Sequence, residues 1–150
     1  MGRVYLVKCD HCGYQQQFNL GVGMAFPYTY DKIVKTIKNG EYGDEFKEFF
    51  DNHKGAVVDV QTELYRCSAC NRLDQDYNLS LYVHKEDKEP EYGIWYSWSD
   101  KEDYIFVKSF SHICSECGKR MHIVRESELH KLICPECGES LAVRNDIMWD

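Results

Sequence analysis

Two short stretches of this sequence decide its fold: CSECG at residues 114–118 and CPECG at residues 134–138. Each is a Cys-x-x-Cys pair followed by glycine. Two further pairs stand earlier in the chain, CDHCG at residues 9–13 and CSACN at residues 67–71. The four stretches, numbered knuckles 1 to 4 in chain order, contain all eight cysteines. Two thiolates at this spacing in a tight turn can bind one tetrahedral ion.

The residue after each pair supports the same interpretation. A metal-binding turn of this kind places that residue in the left-handed conformation, so that backbone N–H groups point at sulfur. Glycine tolerates this conformation best, and asparagine is the next common choice. The sequence has Gly13, Asn71, Gly118 and Gly138 at these four positions.

The cysteines suffice for two closed four-thiolate sites. Sixteen residues separate knuckle 3 from knuckle 4, a usual spacing for one zinc site, whereas 54 residues separate knuckle 1 from knuckle 2. Sequential pairing, knuckle 1 with 2 and knuckle 3 with 4, is therefore the expected arrangement, and a cross-braced pairing is the alternative. In either case the predicted metal ligands are Cys9, Cys12, Cys67, Cys70, Cys114, Cys117, Cys134 and Cys137.

Residues 112–144 resemble the zinc-ribbon and rubredoxin-like knuckle families, in which Cys-Pro-x-Cys-Gly is a specific local signature. Over residues 9–71 the resemblance rests on the paired knuckles alone. Members of these families serve in transcription, in ribosomes and in electron transfer. The resemblance implies a fold and a metal, and it leaves the role of the protein open.

The remaining pattern predicts an α+β protein. Apolar spacing favours a helical insert at about residues 29–52, with one helix starting near Thr29 or Asp31 and a second capped by Asp44. Alternating aromatic residues predict a β-hairpin formed by residues 92–99 and 104–111. The charged, proline-bearing stretch 85–91 is the predicted boundary. The expected architecture is a zinc ribbon with its insert at 1–84, then the aromatic hairpin and a second ribbon at 92–150.

Charge and hydropathy limit the classes of partner that the chain is expected to bind. The formal net charge is −7, and no segment has the basic face that direct nucleic-acid binding needs. No stretch has the length or composition of a signal peptide or a membrane span, so we expect no membrane association and a cytoplasmic, reducing location in which thiols stay available for metal. A protein partner is the expectation.

Zinc is the expected occupant, two ions per chain, because it is the usual metal of structural four-cysteine sites, although thiolate tetrahedra also accept iron. Closed sites leave no open position for catalysis, and the six histidines have no pattern that suggests a catalytic role. The sequence therefore favours a non-enzymatic zinc-binding adaptor. The alternatives are a nucleic-acid-associated ribbon within a transcription or translation complex, and a rubredoxin-like iron electron carrier.

Overall fold

The structure, a computed structural model, describes residues 2–90, 98 and 101–149. Helices combine with small antiparallel sheets, so the predicted α+β class is confirmed. The helices are α1 (Phe26–Lys38), α2 (Asp44–Asn52) and a 3₁₀ helix (Glu126–Lys131). The strands are β1 (Gly2–Lys8), β2 (Gln15–Leu20), β3 (Ala56–Val58), β4 (Thr62–Cys67), β5 (Leu73–Tyr77), β6 (Leu81–His84), β7 (Tyr104–Lys108), β8 (Met121–Ile123) and β9 (Ala142–Trp149).

The chain forms two compact units, each assembled from segments that are distant in sequence. Unit 1 comprises Met1–Gly23, Thr62–Asp76 and Ser111–Asp150. Unit 2 comprises Met24–Gln61 and Tyr77–Phe110. All four knuckles lie on the three segments of unit 1, and both α-helices lie on the segments of unit 2.

The division of the chain differs from the predicted one, which placed the halves at 1–84 and 92–150. Strand β6 ends at His84 and lies between β3 and β7 in one sheet, and β7 comes after the charged stretch 85–91. That stretch therefore connects two strands of one sheet. A charged composition with proline indicates an exposed connection, and such a connection is needed inside a sheet as well as between domains.

Unit 1 is built on two three-stranded sheets, with strand orders β2-β1-β9 and β5-β4-β8. A pair of backbone hydrogen bonds between Gly21 and Thr62, 2.8 and 2.9 Å long, links the end of β2 to the start of β4. One core cluster of this unit contains Val7, Phe18 and Leu64, all fully buried. The unit therefore has an apolar core of its own beside its cysteines.

The helical insert is confirmed in unit 2, but its predicted first cap is wrong. Helix α1 begins at Phe26, with Pro27 in its first turn, so Thr29 and Asp31 lie inside the helix. Proline at a helix start fits because its missing N–H would have no intrahelical partner there. Helix α2 begins at Asp44, which was predicted to be its cap, but Gly43 occupies the cap position, so the second predicted cap is wrong by one residue. Neither described helix has the length and apolar character to cross a membrane.

Side chains from both helices and from the sheet form the core of unit 2. Helix α1 contributes Ile33 and Ile37, and helix α2 contributes Phe46 and Phe50. These residues recur at a spacing of four, so they lie on one face of each helix, as an amphipathic helix requires. Burial of each such side chain contributes roughly 1.5–3 kcal/mol.

The predicted aromatic hairpin is only partly within the described residues. Its second strand is confirmed as β7, which pairs with β6 in the antiparallel sense. Residues 92–99 lie outside the described residues, apart from Trp98. That side chain is buried, and its indole Nε1 donates a 3.0 Å hydrogen bond to the carbonyl of Val58. Packing is therefore the role of the one aromatic residue of that stretch that the structure describes.

One buried carboxylate destabilises unit 2 at neutral pH. Asp59 is 8% exposed, and burial raises its pKa to about 6, although the backbone N–H of Gln61 donates to its Oδ1 at 2.9 Å. A carboxyl group whose pKa is higher in the folded state binds more protons folded than unfolded, so stability falls as pH rises through the interval between the two pKa values.

We expect Asp59→Asn to stabilise the protein at neutral pH by about 1–2 kcal/mol, because the amide keeps the acceptor for Gln61 and carries no charge. Denaturant unfolding should show this gain at about pH 7.5 and a smaller one at about pH 5. Asp31→Asn, which removes a charge from an exposed position of α1, is the control and should change little. A gain that does not depend on pH would contradict the assignment.

Candidate metal centres

All four knuckles adopt one backbone geometry. In each, the residue after the second cysteine donates its N–H to the carbonyl of the first cysteine at 2.9–3.0 Å. The first cysteine in turn donates its N–H across the turn at 2.7–2.9 Å. The four positions expected to be left-handed have φ between 62° and 81° and are Gly13, Asn71, Gly118 and Gly138. The rule drawn from the sequence is confirmed at every knuckle.

The sheets bring the knuckles together in a nested order. Strand β1 pairs with β9 in the antiparallel sense, with Lys8 opposite Ala142, and this places knuckle 1 beside knuckle 4. Strand β4 pairs with β8, with Cys67 opposite Met121, and this places knuckle 2 beside knuckle 3. Strand pairing therefore decides which cysteines meet.

The sequential pairing expected from the sequence is wrong. Centre 1 consists of Cys9, Cys12, Cys134 and Cys137, and centre 2 of Cys67, Cys70, Cys114 and Cys117. The short spacing between knuckles 3 and 4 suggested a common site, but each of them joins a hairpin from earlier in the chain. In the structure, knuckle 1 thus joins knuckle 4 and knuckle 2 joins knuckle 3. Neither centre combines knuckle 1 with knuckle 2, as the predicted ribbon with a helical insert required.

The sulfur positions fit a tetrahedral ion. In each centre the four Sγ atoms lie within 4.8 Å of one another. The nearest contacts between knuckles are 3.4 and 3.5 Å in centre 1, and 3.4 and 3.6 Å in centre 2. Four sulfurs at about 2.3 Å from a zinc ion would be about 3.8 Å apart. The cysteines are not joined by disulfides, so both centres could hold a metal ion.

Each centre has a buried and an accessible side. The first cysteine of every knuckle is buried. Of the second cysteines, Cys70 is half-buried, and the other three, Cys12, Cys117 and Cys137, are exposed. A metal ion in either centre would therefore be anchored from the core of unit 1 and would lie close to the surface.

The thiols of centre 1 differ in their pKa values. The backbone N–H of Cys12 donates to the sulfur of Cys9 and lowers its pKa to about 7. Cys137 shifts the other way: the N–H of Glu139 lowers its pKa, but burial and hydrogen bonds to the other sulfurs outweigh this and raise it to about 12.

In centre 2, too, the pKa of one thiol is lowered and that of another is raised. The backbone N–H of Cys70 lowers the pKa of Cys67 to about 6. The pKa of Cys70 itself rises to about 12, because burial and the neighbouring sulfurs outweigh the N–H of Arg72. Four thiols this close ionise together only when a cation compensates their charge. The donor set therefore fits a divalent, thiophilic ion.

Knuckles 3 and 4 are copies of one element, with ICSECG at 113–118 and ICPECG at 133–138. A backbone hydrogen bond closes each copy, from Met121 to His112 at 2.8 Å and from Leu141 to Leu132 at 3.0 Å. The repeat indicates that each copy occupies an equivalent place in its own centre.

Two polar groups, His112 and Arg72, lie beside centre 2. His112 is buried, its ring stacks on Tyr65 with centroids 4.0 Å apart, and its Nδ1 lies 3.4 Å from a carboxylate oxygen of Asp76. The guanidinium of Arg72 joins two elements, donating from Nε to Asp74 and from Nη1 to Glu116, both at 3.0 Å. The second bond ties knuckle 2 to knuckle 3 across the centre.

No family model matches the chain, and no solved structure matches it significantly. A protein of Methanocaldococcus jannaschii named as an uncharacterized metallohydrolase is 34% identical over 90 residues. The alignment covers 59% of this chain and 20% of that protein. The aligned residues thus span about one fifth of the length of that protein, and the similarity indicates a shared region.

Two double variants test the pairing. Cys9→Ser with Cys134→Ser removes two ligands of centre 1 and should leave about one metal ion per chain, because centre 2 stays complete. Cys9→Ser with Cys67→Ser damages both centres and should leave none. Elemental analysis of the purified proteins gives the counts. Sequential pairing requires the opposite result, with one ion retained in the second variant and none in the first.

Proposed function

We propose that this chain is a zinc-binding interaction module in which two Zn²⁺ ions, one in each centre, have a structural role. The two closed four-thiol clusters carry the proposal. Zinc is the usual metal of such sites because it favours tetrahedral thiolate coordination and has no redox chemistry. With four cysteines as ligands, the ion has no open position for a water molecule or a substrate, as a catalytic zinc requires.

The distribution of apolar residues supports a structural role for the metals. The first cysteine of each knuckle belongs to the apolar core of unit 1. Cys9 and Cys134 lie in one core cluster, and Cys67 and Cys114 lie in another. A bound ion would replace part of the core that so small a unit lacks. A structural zinc site contributes about 10–16 kcal/mol of binding free energy, which becomes folding free energy when the unfolded chain has no preformed site.

The similarity to one relative supports a module that acts with other domains. The name of that relative describes a metallohydrolase, and the aligned part is one fifth of its length. Within the described residues of this chain, the only groups of metal-binding side chains are the two four-cysteine centres. We therefore take the shared region as an accessory part, whose contribution to a larger protein or complex is binding.

Charge favours a protein as the partner. With both centres loaded, each four-thiolate zinc site adds two negative charges, and the formal charge of −7 becomes about −11. Direct binding to phosphates by so acidic a protein is disfavoured. A ribbon that works inside a transcription or translation complex would have to be held there by protein contacts.

Metal analysis tests the first half of the proposal. The purified protein should be colourless and contain about two zinc ions per chain, and a strong chelator should unfold unit 1, as seen by circular dichroism and a loss of the thermal transition. Zinc added back should restore the fold. A red, redox-active protein containing iron would contradict zinc and support the electron carrier.

Affinity purification tests the second half. A tagged chain, produced in its native cells, should recover a protein in a fixed ratio to itself, and the Cys134→Ser variant should recover less of it because centre 1 is incomplete. A chain that always elutes alone would contradict the adaptor role. Oligonucleotide binding that weakens steeply with rising salt would favour the nucleic-acid alternative.

A further inference from the structure

Unit 1 contains a surface groove of about 450 Å³ whose lining belongs to all four knuckles or to the strands beside them. We call it the inter-knuckle groove. The lining residues that matter here are Tyr14, Arg72, Leu73, Glu116, Pro135 and Glu136. Its volume lies within the range of about 300–1,000 Å³ that is typical of ligand sites.

Two carboxylates in this groove occupy equivalent positions of the repeated knuckles. Glu116 precedes Cys117 in ICSECG, and Glu136 precedes Cys137 in ICPECG. Both side chains are exposed at the groove. Glu116 pairs with Arg72, whereas Glu136 has no ion pair with any described residue. The groove therefore has an acidic residue available for a cation on one side.

The wall of the groove itself contains one guanidinium, that of Arg72. Its Nε and Nη1 donate to Asp74 and Glu116, and the side chains of these partners are 41% and 65% exposed. Carboxylates at this surface thus bind a planar guanidinium at hydrogen-bonding distance. Because the guanidinium is a rigid fork of donors, this arrangement suits arginine better than lysine.

The walls can accommodate the aliphatic part of such a side chain. Tyr14 is half-buried and presents an aromatic ring, Pro135 is half-buried, and Leu73 is buried at the base. Arginine packs its methylene groups on apolar surface and its guanidinium on aromatic faces. Cys70 also lines the groove, so a metal-loaded centre 2 would add negative charge directly beside it.

We propose that the inter-knuckle groove binds an arginine-bearing segment of a partner protein. This inference rests on the proposed interaction role and names the surface and the chemistry through which it acts. Glu136 receives the guanidinium, Glu116 neutralises Arg72 beside it, Tyr14 and Pro135 flank the stem, and the loaded centres would supply a negative field that attracts the segment.

The test uses the full chain with its zinc bound and a fluorescein-labelled peptide of alternating arginine and glycine, followed by fluorescence anisotropy. The peptide should bind, and the matched peptide with glutamate in place of arginine should not. Glu136→Gln should weaken binding about three- to five-fold, and the double variant with Glu116→Gln should weaken it further.

Glu139→Gln is the matched control. It removes the same charge beside the same knuckle but does not line the groove, and we expect less than about a two-fold change. Arg72→Gln should tighten binding, because it removes the guanidinium that now occupies Asp74 and Glu116. Zinc content and melting temperature, measured for every variant, show that each one is folded.

Three results would overturn the inference. The first is no binding of the arginine peptide, and the second is an equal loss of peptide affinity in Glu136→Gln and Glu139→Gln. The third is competition by spermine as strong as that of the peptide, which would indicate attraction of any polycation. The metal counts distinguish a failure of this inference from a failure of the proposed function. A protein with two zinc ions, a recovered partner and no peptide binding refutes the groove alone, whereas a protein without zinc refutes the structural-metal proposal first.

Discussion

The pairing of β1 with β9 is the constraint on which the rest of unit 1 depends. This ladder runs from Gly2 opposite Trp149 to Lys8 opposite Ala142, with one irregularity between Val4 and Tyr5. It joins two segments that are separated by most of the chain. Because knuckle 1 directly follows β1 and knuckle 4 directly precedes β9, the same ladder brings together the four sulfurs of centre 1. A slip in its register would move the two halves of that centre apart.

The local features of the sites were predictable from the sequence, because they depend on local chemistry. A Cys-x-x-Cys turn followed by Gly or Asn has one favoured backbone geometry, and all four knuckles adopt it. The start of the second helix was predictable to within one residue of Asp44, since an amphipathic pattern and an acidic first turn are properties of the segment itself. The same holds for strand β7.

The pairing of the knuckles was not predictable from spacing. Spacing indicates how easily a loop closes. The entropic cost of closing a loop rises only slowly with its length, so a short connection is only weakly favoured over a long one. Strand complementarity between Val7 and Val143 or between Tyr65 and Ile123 decided the outcome. The division into units followed from the same long-range contacts. The charged stretch 85–91 could not reveal it, because exposed connections within and between units have similar compositions.

The nested order of the knuckles has a consequence for how the chain matures. Sulfurs that meet in centre 2 are 44 and 50 residues apart, whereas those that meet in centre 1 are 122 and 128 residues apart. During synthesis, centre 2 is complete as soon as Cys117 has left the ribosome, while Cys9 and Cys12 must wait for Cys134 and Cys137. The first thiols to be made are thus the last to meet their partners. If both centres bind metal, the ligands of centre 2 would be available first, and binding at centre 1 would close unit 1 last.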